Sequence, residues 1–354
     1  MNLATVDKIA KAVLYEGYML YPYRPSSVKN QQRWNFGVLC PLPYSEAQKG
    51  TEAWRMQTEC LLEGGPQTAL GIRVRFLQLA ARSIGELPIP IPELPPGEVP
   101  EFRPVARLEV AGRVYQPWQE AVEREVILPV CNVEALGYTL IHDAFNFPAE
   151  KQFEYVRDSG GQIAGVIVRE RRAISGALEV MGEMVEEGVF KVCVRVINTT
   201  LFEVLKDTSR DEALLSSLVS THTVLGVRDG SFVSLLAPPE SLSKLAANCK
   251  NVGTWPVLVG DEGKCDTLLS SPIILYDYPQ IAPESSGDLF DGTEIDEILS
   301  LRIMTLTDDE KREMSQSDER ARQVLERTET MPVEQFMKLH GVLRGLRPLR
   351  EESQ

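Results

Sequence analysis

Apolar and polar residues alternate with a period of two along much of the first two thirds of the chain. Ile72, Val74 and Phe76 are separated by Arg73 and Arg75. Phe190, Val192, Val194 and Val196 are separated by Lys191, Cys193 and Arg195, and Val122, Val126 and Leu128 stand among Glu123 and Glu125. Side chains point to opposite faces at successive strand positions, so this pattern predicts antiparallel sheet with one buried face. Several such runs divided by turn residues predict a β-sandwich-like domain over residues 33–204.

One stretch breaks the pattern. Residues 86–104, ELPIPIPELPPGEVPEFRP, hold seven prolines. Proline lacks the backbone N–H that a central strand or a helix needs, so the segment is expected as a polyproline II connection. It reads as a stiff link between strands in preference to a recognition segment.

From residue 205 to 283 the pattern predicts a smaller mixed α/β region. Ser209 and Glu212 form a capping box ahead of a helix carrying Leu214, Leu215, Leu218 and Val219. Val224, Leu225 and Val227 face Phe232, Val233 and Leu235 across Asp229-Gly230, a two-residue hairpin signal. Pro238-Pro239 leads into a short helix through Leu242, Leu245 and Ala246, and strands are expected at 256–259 and 272–276. Residues 284–354 begin with an acidic loop and continue as helices, with Thr293 as one cap and Thr307 to Glu310 as a second capping box. Residues 1–32 hold a helix over 5–20 and then an aromatic-basic segment. The expected class is therefore α+β: an antiparallel sandwich-like domain, a mixed region and C-terminal helices.

Composition narrows the function. The 354 residues are 43% hydrophobic and 25% charged, ordinary for a globular protein, and no apolar run approaches membrane-spanning length. A cytoplasmic location without membrane insertion is expected, since the first residues lack a signal-peptide layout. The net charge of −14 argues against nucleic acid as a partner. Six dispersed cysteines form no C-x-x-C pair and read as buried free thiols.

The search for chemistry yields no catalytic residue and implies no cofactor. VLVGDEGKCDTLL, residues 257–269, fails the phosphate-loop spacing, with Leu258 at the first position and Cys265 at the last, and is expected to be a hairpin turn at Asp261–Gly263. His222 could ligate a metal with Cys249 or Cys265 if the fold brought them together, although a hydrogen-bonded structural histidine is the favoured reading. Two surfaces suit partner contact. One is Tyr21, Tyr23, Arg24, Lys29, Arg33 and Trp34, a grouping of tyrosine, tryptophan and arginine typical of interfaces. The other is the acidic run 284–297, where helix capping leaves Asp288 and Asp291 unexplained.

Five segments carry a family resemblance: VLYEGYMLYPYR, KNQQRWNFGVLCP, STHTVLGVRDGSFVSLL, NVGTWPVLVG and TLLSSPIILYDYPQIAPESSGDLFDGTEIDEILSLRIMTLTDDEKREM. Together they resemble the uncharacterised proteins encoded beside uptake nickel–iron hydrogenases in aerobic bacteria. The resemblance implies a role in assembling, maturing or supporting a hydrogenase; joined to the absence of a convincing catalytic motif, it leads to the expectation of a non-enzymatic accessory protein that binds a hydrogenase subunit or precursor. It carries no active-site residues. Two other readings stand beside it: a metal-binding or metal-dependent protein using His222 with Cys or Asp/Glu ligands, and a structural subunit of a hydrogenase complex.

Overall fold

In the computed structural model the described residues are Ile9, Leu14, 35–95, 97–279, 303–317 and 319–332. They form a mostly antiparallel β structure with a few short helices. The strands are β1 (Arg55–Ile91), β2 (Arg103–Val105), β3 (Leu108–Val110), β4 (Arg113–Tyr115), β5 (Trp118–Ile127), β6 (Cys131–Asn132), β7 (Ile141–Phe147), β8 (Glu150–Arg157), β9 (Ile163–Arg171), β10 (Ile174–Glu186), β11 (Val189–Asn198), β12 (Val219–Val233), β13 (Trp255–Leu258) and β14 (Thr267–Ser271). The helices are α1 (Leu42–Ala47), α2 (Arg210–Leu214), α3 (Ser243–Ala247), α4 (Asp308–Ser317) and α5 (Glu319–Thr330).

β1 is the spine. Its 37 residues far exceed the usual strand length of about 3–10, and no single neighbour covers it. Arg55 to Glu63 pair with β11, Leu61 to Leu77 with β12, Arg73 to Arg82 with β5, and Ala81 to Ile91 with β9. Hydrogen bonding thereby joins twelve strands into one sheet, while β3 and β4 form a separate hairpin. Because β12 pairs with β1 and β14 with β12, residues on both sides of position 205 share that sheet.

The alternation read from the sequence is realised. Ile72, Val74 and Phe76 are buried in the largest apolar cluster with Val192, Val194, Val196 and Val126. Phe76 meets the rings of Phe145 and Phe147 at centroid distances of 5.9 and 5.7 Å. Gly176 makes that approach possible: a Cβ there would stand 2.2 Å from the Phe145 ring.

Three local expectations are corrected. Asp229-Gly230 does not turn a hairpin; β12 runs straight through it, and the irregularity lies opposite, between Gly64 and Ala69. There Gly65 donates its N–H to the Thr68 Oγ1 at 2.8 Å, and that hydroxyl donates to the Asp229 carbonyl at 2.5 Å. The bulge on β1 absorbs the left-handed Asp229, so the turn signal is used without a turn. Second, β1 continues to Ile91 through Pro88 and Pro90. The prolines are tolerated because they fall inside a register shift between Glu86 and Ile91, where β9 asks for no N–H. Third, the strand placed at 272–276 is Thr267–Ser271, five fully buried residues with three hydroxyls among them.

Other expectations hold. The Ser209 side chain accepts from the Glu212 N–H, although the helix it opens ends at Leu214, with Leu218 in a β-bridge to Leu39 and Val219 opening β12; Thr307 and Glu310 exchange both capping-box hydrogen bonds, at 2.8 and 3.3 Å. β13 and β14 form the hairpin predicted around Asp261–Gly263, closed by the Lys264 N–H on the Asp261 carbonyl. Ile9 and Leu14 are helical and buried; the rest of the 5–20 helix and the Thr293 cap lie outside the described residues. Among the described residues no helix is long and apolar enough to cross a membrane.

Candidate functional site

Four neighbouring strands, β5, β1, β9 and β8, carry a belt of charge across one part of the sheet. Arg82 of β1 stands in register with Trp118 of β5 on one side and Arg169 of β9 on the other. The Arg82 Nη1 donates to Glu120 of β5 at 3.3 Å, while its Nε and Nη2 donate to the Gln116 carbonyl. Glu120 also accepts from the Arg169 Nε at 2.7 Å, and Arg169 reaches on to Glu154 of β8 at 2.6 Å. One carboxylate thus serves two guanidinium groups, and one guanidinium serves two carboxylates.

Burial makes these pairs more than surface decoration. The Arg82 side chain is only 6% exposed and Glu120 18%. A charge held that far from water must be paired, or its desolvation cost is uncompensated. Burial alone would pull the Arg169 pKa down; the hydrogen bonds it donates to Glu154 and Glu120 outweigh it and hold the guanidinium above its ordinary value.

The belt forms the sheet side of a cleft of about 990 Å³. Arg113 and Tyr115 of the β3–β4 hairpin line a second side. Helices α4 and α5 line the rest with Asp308, Lys311, Arg312 and Ser315, and with Arg322, Leu325, Glu326 and Glu329. These helix residues recur at three- and four-residue spacing, so each helix turns one face to the cleft. The helices are anchored by Met314, Val324 and Leu325, buried in a cluster with Leu77 and Leu79 of β1. Lys311 ties them together through Glu329 at 3.0 Å.

Two groups in the lining are uncommitted. Among the described residues neither Arg113 nor the Tyr115 hydroxyl has a hydrogen-bonding or ionic partner. They stand two residues apart on β4 and therefore share one strand face, with Val114 turned the other way.

Of the site candidates singled out from the sequence, those among the described residues, His222, Cys249 and Cys265, do not line this cleft. Tyr21, Tyr23, Arg24, Lys29, Arg33, Trp34, Asp288 and Asp291 are outside the described residues. The three metal-ligand candidates are placed apart. His222 is near the start of β12, opposite Arg75 of β1. Cys249 packs near the other end of that strand, beside Val233 and Leu61, and its thiol donates to the Leu245 carbonyl. The Cys265 thiol contacts the Tyr278 hydroxyl at 3.5 Å. No group of three His, Cys, Asp or Glu side chains suited to a metal occurs among the described residues. All six cysteines are free thiols, and burial pushes Cys40, Cys193 and Cys249 up to about 11.

His222 is instead the buried structural histidine favoured above, with one nitrogen left over. Its ring is fully buried, its Nδ1–H donates to the Ser220 carbonyl at 2.7 Å, and its Nε2 has no partner among the described residues. Burial, joined by the nearby Arg75 charge, lowers its pKa to about 4 against the smaller opposing effect of the Ser220 bond.

No local pattern marks the cleft as a whole, because its charges come from seven separate elements, β1, β4, β5, β8, β9, α4 and α5. One local signal was available: Arg82 interrupts LQLAARSIG, an otherwise nearly uncharged run. A charged residue inside such a run needs a partner supplied by the fold.

No protein-family model matches the chain, and no curated protein sequence does. Among solved structures, one similarity is to the secretin InvG of the Salmonella SPI-1 type III secretion injectisome (residues 176 to the end, open gate state). It has 8% identity over 65% of this chain, spans 60% of that chain, and has a TM-score of 0.11. At that score it carries no argument about fold or function.

Proposed function

We propose that this protein is a non-enzymatic accessory factor that binds a subunit or precursor of a nickel–iron hydrogenase, and that the charged cleft is a contact surface for it. The partner's identity rests on the five sequence segments that resemble proteins encoded beside such enzymes. The observation that carries a binding role is the cleft itself. Its volume of about 990 Å³ lies at the top of the range of about 300–1,000 Å³ for ligand pockets, and its lining is charged where small-molecule pockets are mostly apolar. The belt of Glu120, Arg82, Arg169 and Glu154 holds its charges in fixed positions, so an incoming chain meets a preorganised surface.

The test is copurification from the native host with a tagged chain, read by mass spectrometry. A hydrogenase subunit should be captured by the native protein. Capture should fall when Arg312→Glu and Arg322→Glu reverse two exposed charges on the helix wall, with the melting temperature nearly unchanged. Absence of any hydrogenase subunit on the bait, together with normal hydrogenase maturation in a deletion strain, would overturn the reading.

A further inference from the structure

Pairing commits most of the charges in the cleft and shows which groups are left over. Its cations are Arg82, Arg113, Arg169, Lys311, Arg312 and Arg322; its acids are Glu120, Glu154, Asp308, Glu326 and Glu329. The lining holds one more cation than acid, and Arg312 of these is paired with Asp309 just outside it at 2.7 Å, which leaves Arg113 as the cation with no partner among the described residues. The acids are largely committed. Glu120 and Glu154 belong to Arg82 and Arg169, Glu329 to Lys311, and Glu326 lies 3.8 Å from Arg322. Asp308 sits in the first turn of α4, where a negative charge is favourable at the helix's positive end. A basic ligand would have to compete for carboxylates already paired. An acidic ligand meets Arg113 and the Tyr115 hydroxyl, neither of which gives up a partner to receive it.

We propose that Arg113 and Tyr115 form a carboxylate-binding subsite that takes an acidic side chain of an extended polypeptide lying in the cleft. A guanidinium presents two parallel N–H donors that match the two oxygens of a carboxylate, and a phenolic O–H adds a third donor. The two residues share one face of β4 and both line the cleft, so one incoming group can be within reach of both. The remaining charged groups along the helices and the belt supply further contacts for a chain, more than a single small acid could use. The inference deepens the accessory role proposed above and rests on the cleft being a partner-binding surface.

The experiment uses the full chain and a fluorescein-labelled ten-residue peptide bearing four glutamates, followed by fluorescence anisotropy at low salt. The glutamate peptide should bind, and its glutamine counterpart should bind at least about tenfold more weakly, since the charge-assisted bonds are lost. Arg113→Gln should weaken the glutamate peptide about tenfold and Tyr115→Phe by a few fold, both with an unchanged circular dichroism spectrum. Lys264→Gln, on the β13–β14 turn, should leave binding unchanged. Equal binding of the two peptides, or no effect of Arg113→Gln, would overturn the subsite. Free glutarate displacing the peptide at equal concentration would overturn the polypeptide as occupant. The assay contains no hydrogenase. A chain that discriminates the peptides but captures no subunit keeps this subsite and loses the accessory role; one that captures the subunit without discriminating the peptides does the reverse.

Discussion

His222 donates its Nδ1–H to the carbonyl of Ser220, two residues earlier on the same strand, at 2.7 Å. Ser220 holds a left-handed backbone at φ 54°, which is part of the irregularity between Arg75 and Leu77 on the neighbouring strand. The bond fixes the neutral tautomer and leaves a buried, unpartnered lone pair on Nε2. Charging this ring inside the fold is unfavourable, because burial disfavours the cation and Arg75 repels it.

A pH dependence of stability follows. The folded pKa is about 4, below the ordinary histidine value near 6.5, so the unfolded chain binds the proton first as pH falls. The contribution is intact above about pH 6.5 and is lost as pH falls from there toward 4, by on the order of 3 kcal/mol. Urea unfolding at pH 7, 6 and 5 should show this decline. In His222→Asn the decline over that window should be shallower, although the variant starts from a lower stability. An equal slope in both proteins would remove His222 as the cause.

Thr68 tests the corrected reading of Asp229-Gly230. Its hydroxyl accepts from the Gly65 N–H and donates to the Asp229 carbonyl, and so holds the β1 bulge against the uninterrupted β12. Thr68→Val keeps the shape and removes both bonds, leaving two backbone groups unsatisfied. A loss of about 1–3 kcal/mol is expected, read from the urea midpoint at unchanged slope. If Asp229-Gly230 were a free hairpin turn, the substitution would cost almost nothing.

The charge belt predicts a strong asymmetry between its members. Glu120→Gln removes a carboxylate that serves both Arg82 and Arg169, and Arg82 cannot reach water to compensate. The expected cost is about 1–3 kcal/mol. Glu154→Gln removes one exposed partner of Arg169, which keeps Glu120, and about 0–1 kcal/mol is expected. Parallel urea titrations separate the two. Equal losses would mean that the belt is not organised around Glu120.

What the sequence made legible depends on whether the physics is local. The alternation around Ile72, Val74 and Phe76 is local, since each side chain's face follows from its neighbours, and it survives intact in β1. So do the capping box at Thr307 and the Ser209 cap, whose partners lie three residues away, while the Glu212 carboxylate turns instead to Arg172. The Asp229-Gly230 signal was real as backbone preference, but its consequence was decided by the Gly65–Thr68 bulge far along the chain. The proline run was read by its missing N–H groups alone, which ignored that a register shift removes the demand for them. The cleft is the extreme case. Arg82, Glu120, Glu154, Arg169 and Arg113 each read as an ordinary solvated charge until four strands and a hairpin bring them together.

Gly37 gives a last prediction, in which two effects can be separated. It connects Asn35 to Leu39, the segment whose carbonyls at Phe36 and Gly37 accept from Ser220 and Thr221. Its φ is 54°, and a Cβ there would lie 2.6 Å from the Pro272 Cβ and 3.1 Å from the Thr221 nitrogen. Gly50, after α1, has φ 77° but nothing within 4 Å of an added Cβ. Both positions need the left-handed conformation, which costs an L side chain about 1–2 kcal/mol. Gly50→Ala should therefore lose about that much. Gly37→Ala should lose the same amount and a further 1–3 kcal/mol, roughly, for overpacking against a ring that cannot rotate away. The difference between the two urea midpoints measures the clash alone. It should shrink in the background Pro272→Gly, where both clashing carbons are gone, and a difference that persists unchanged there would place the cost in the backbone of Gly37 itself.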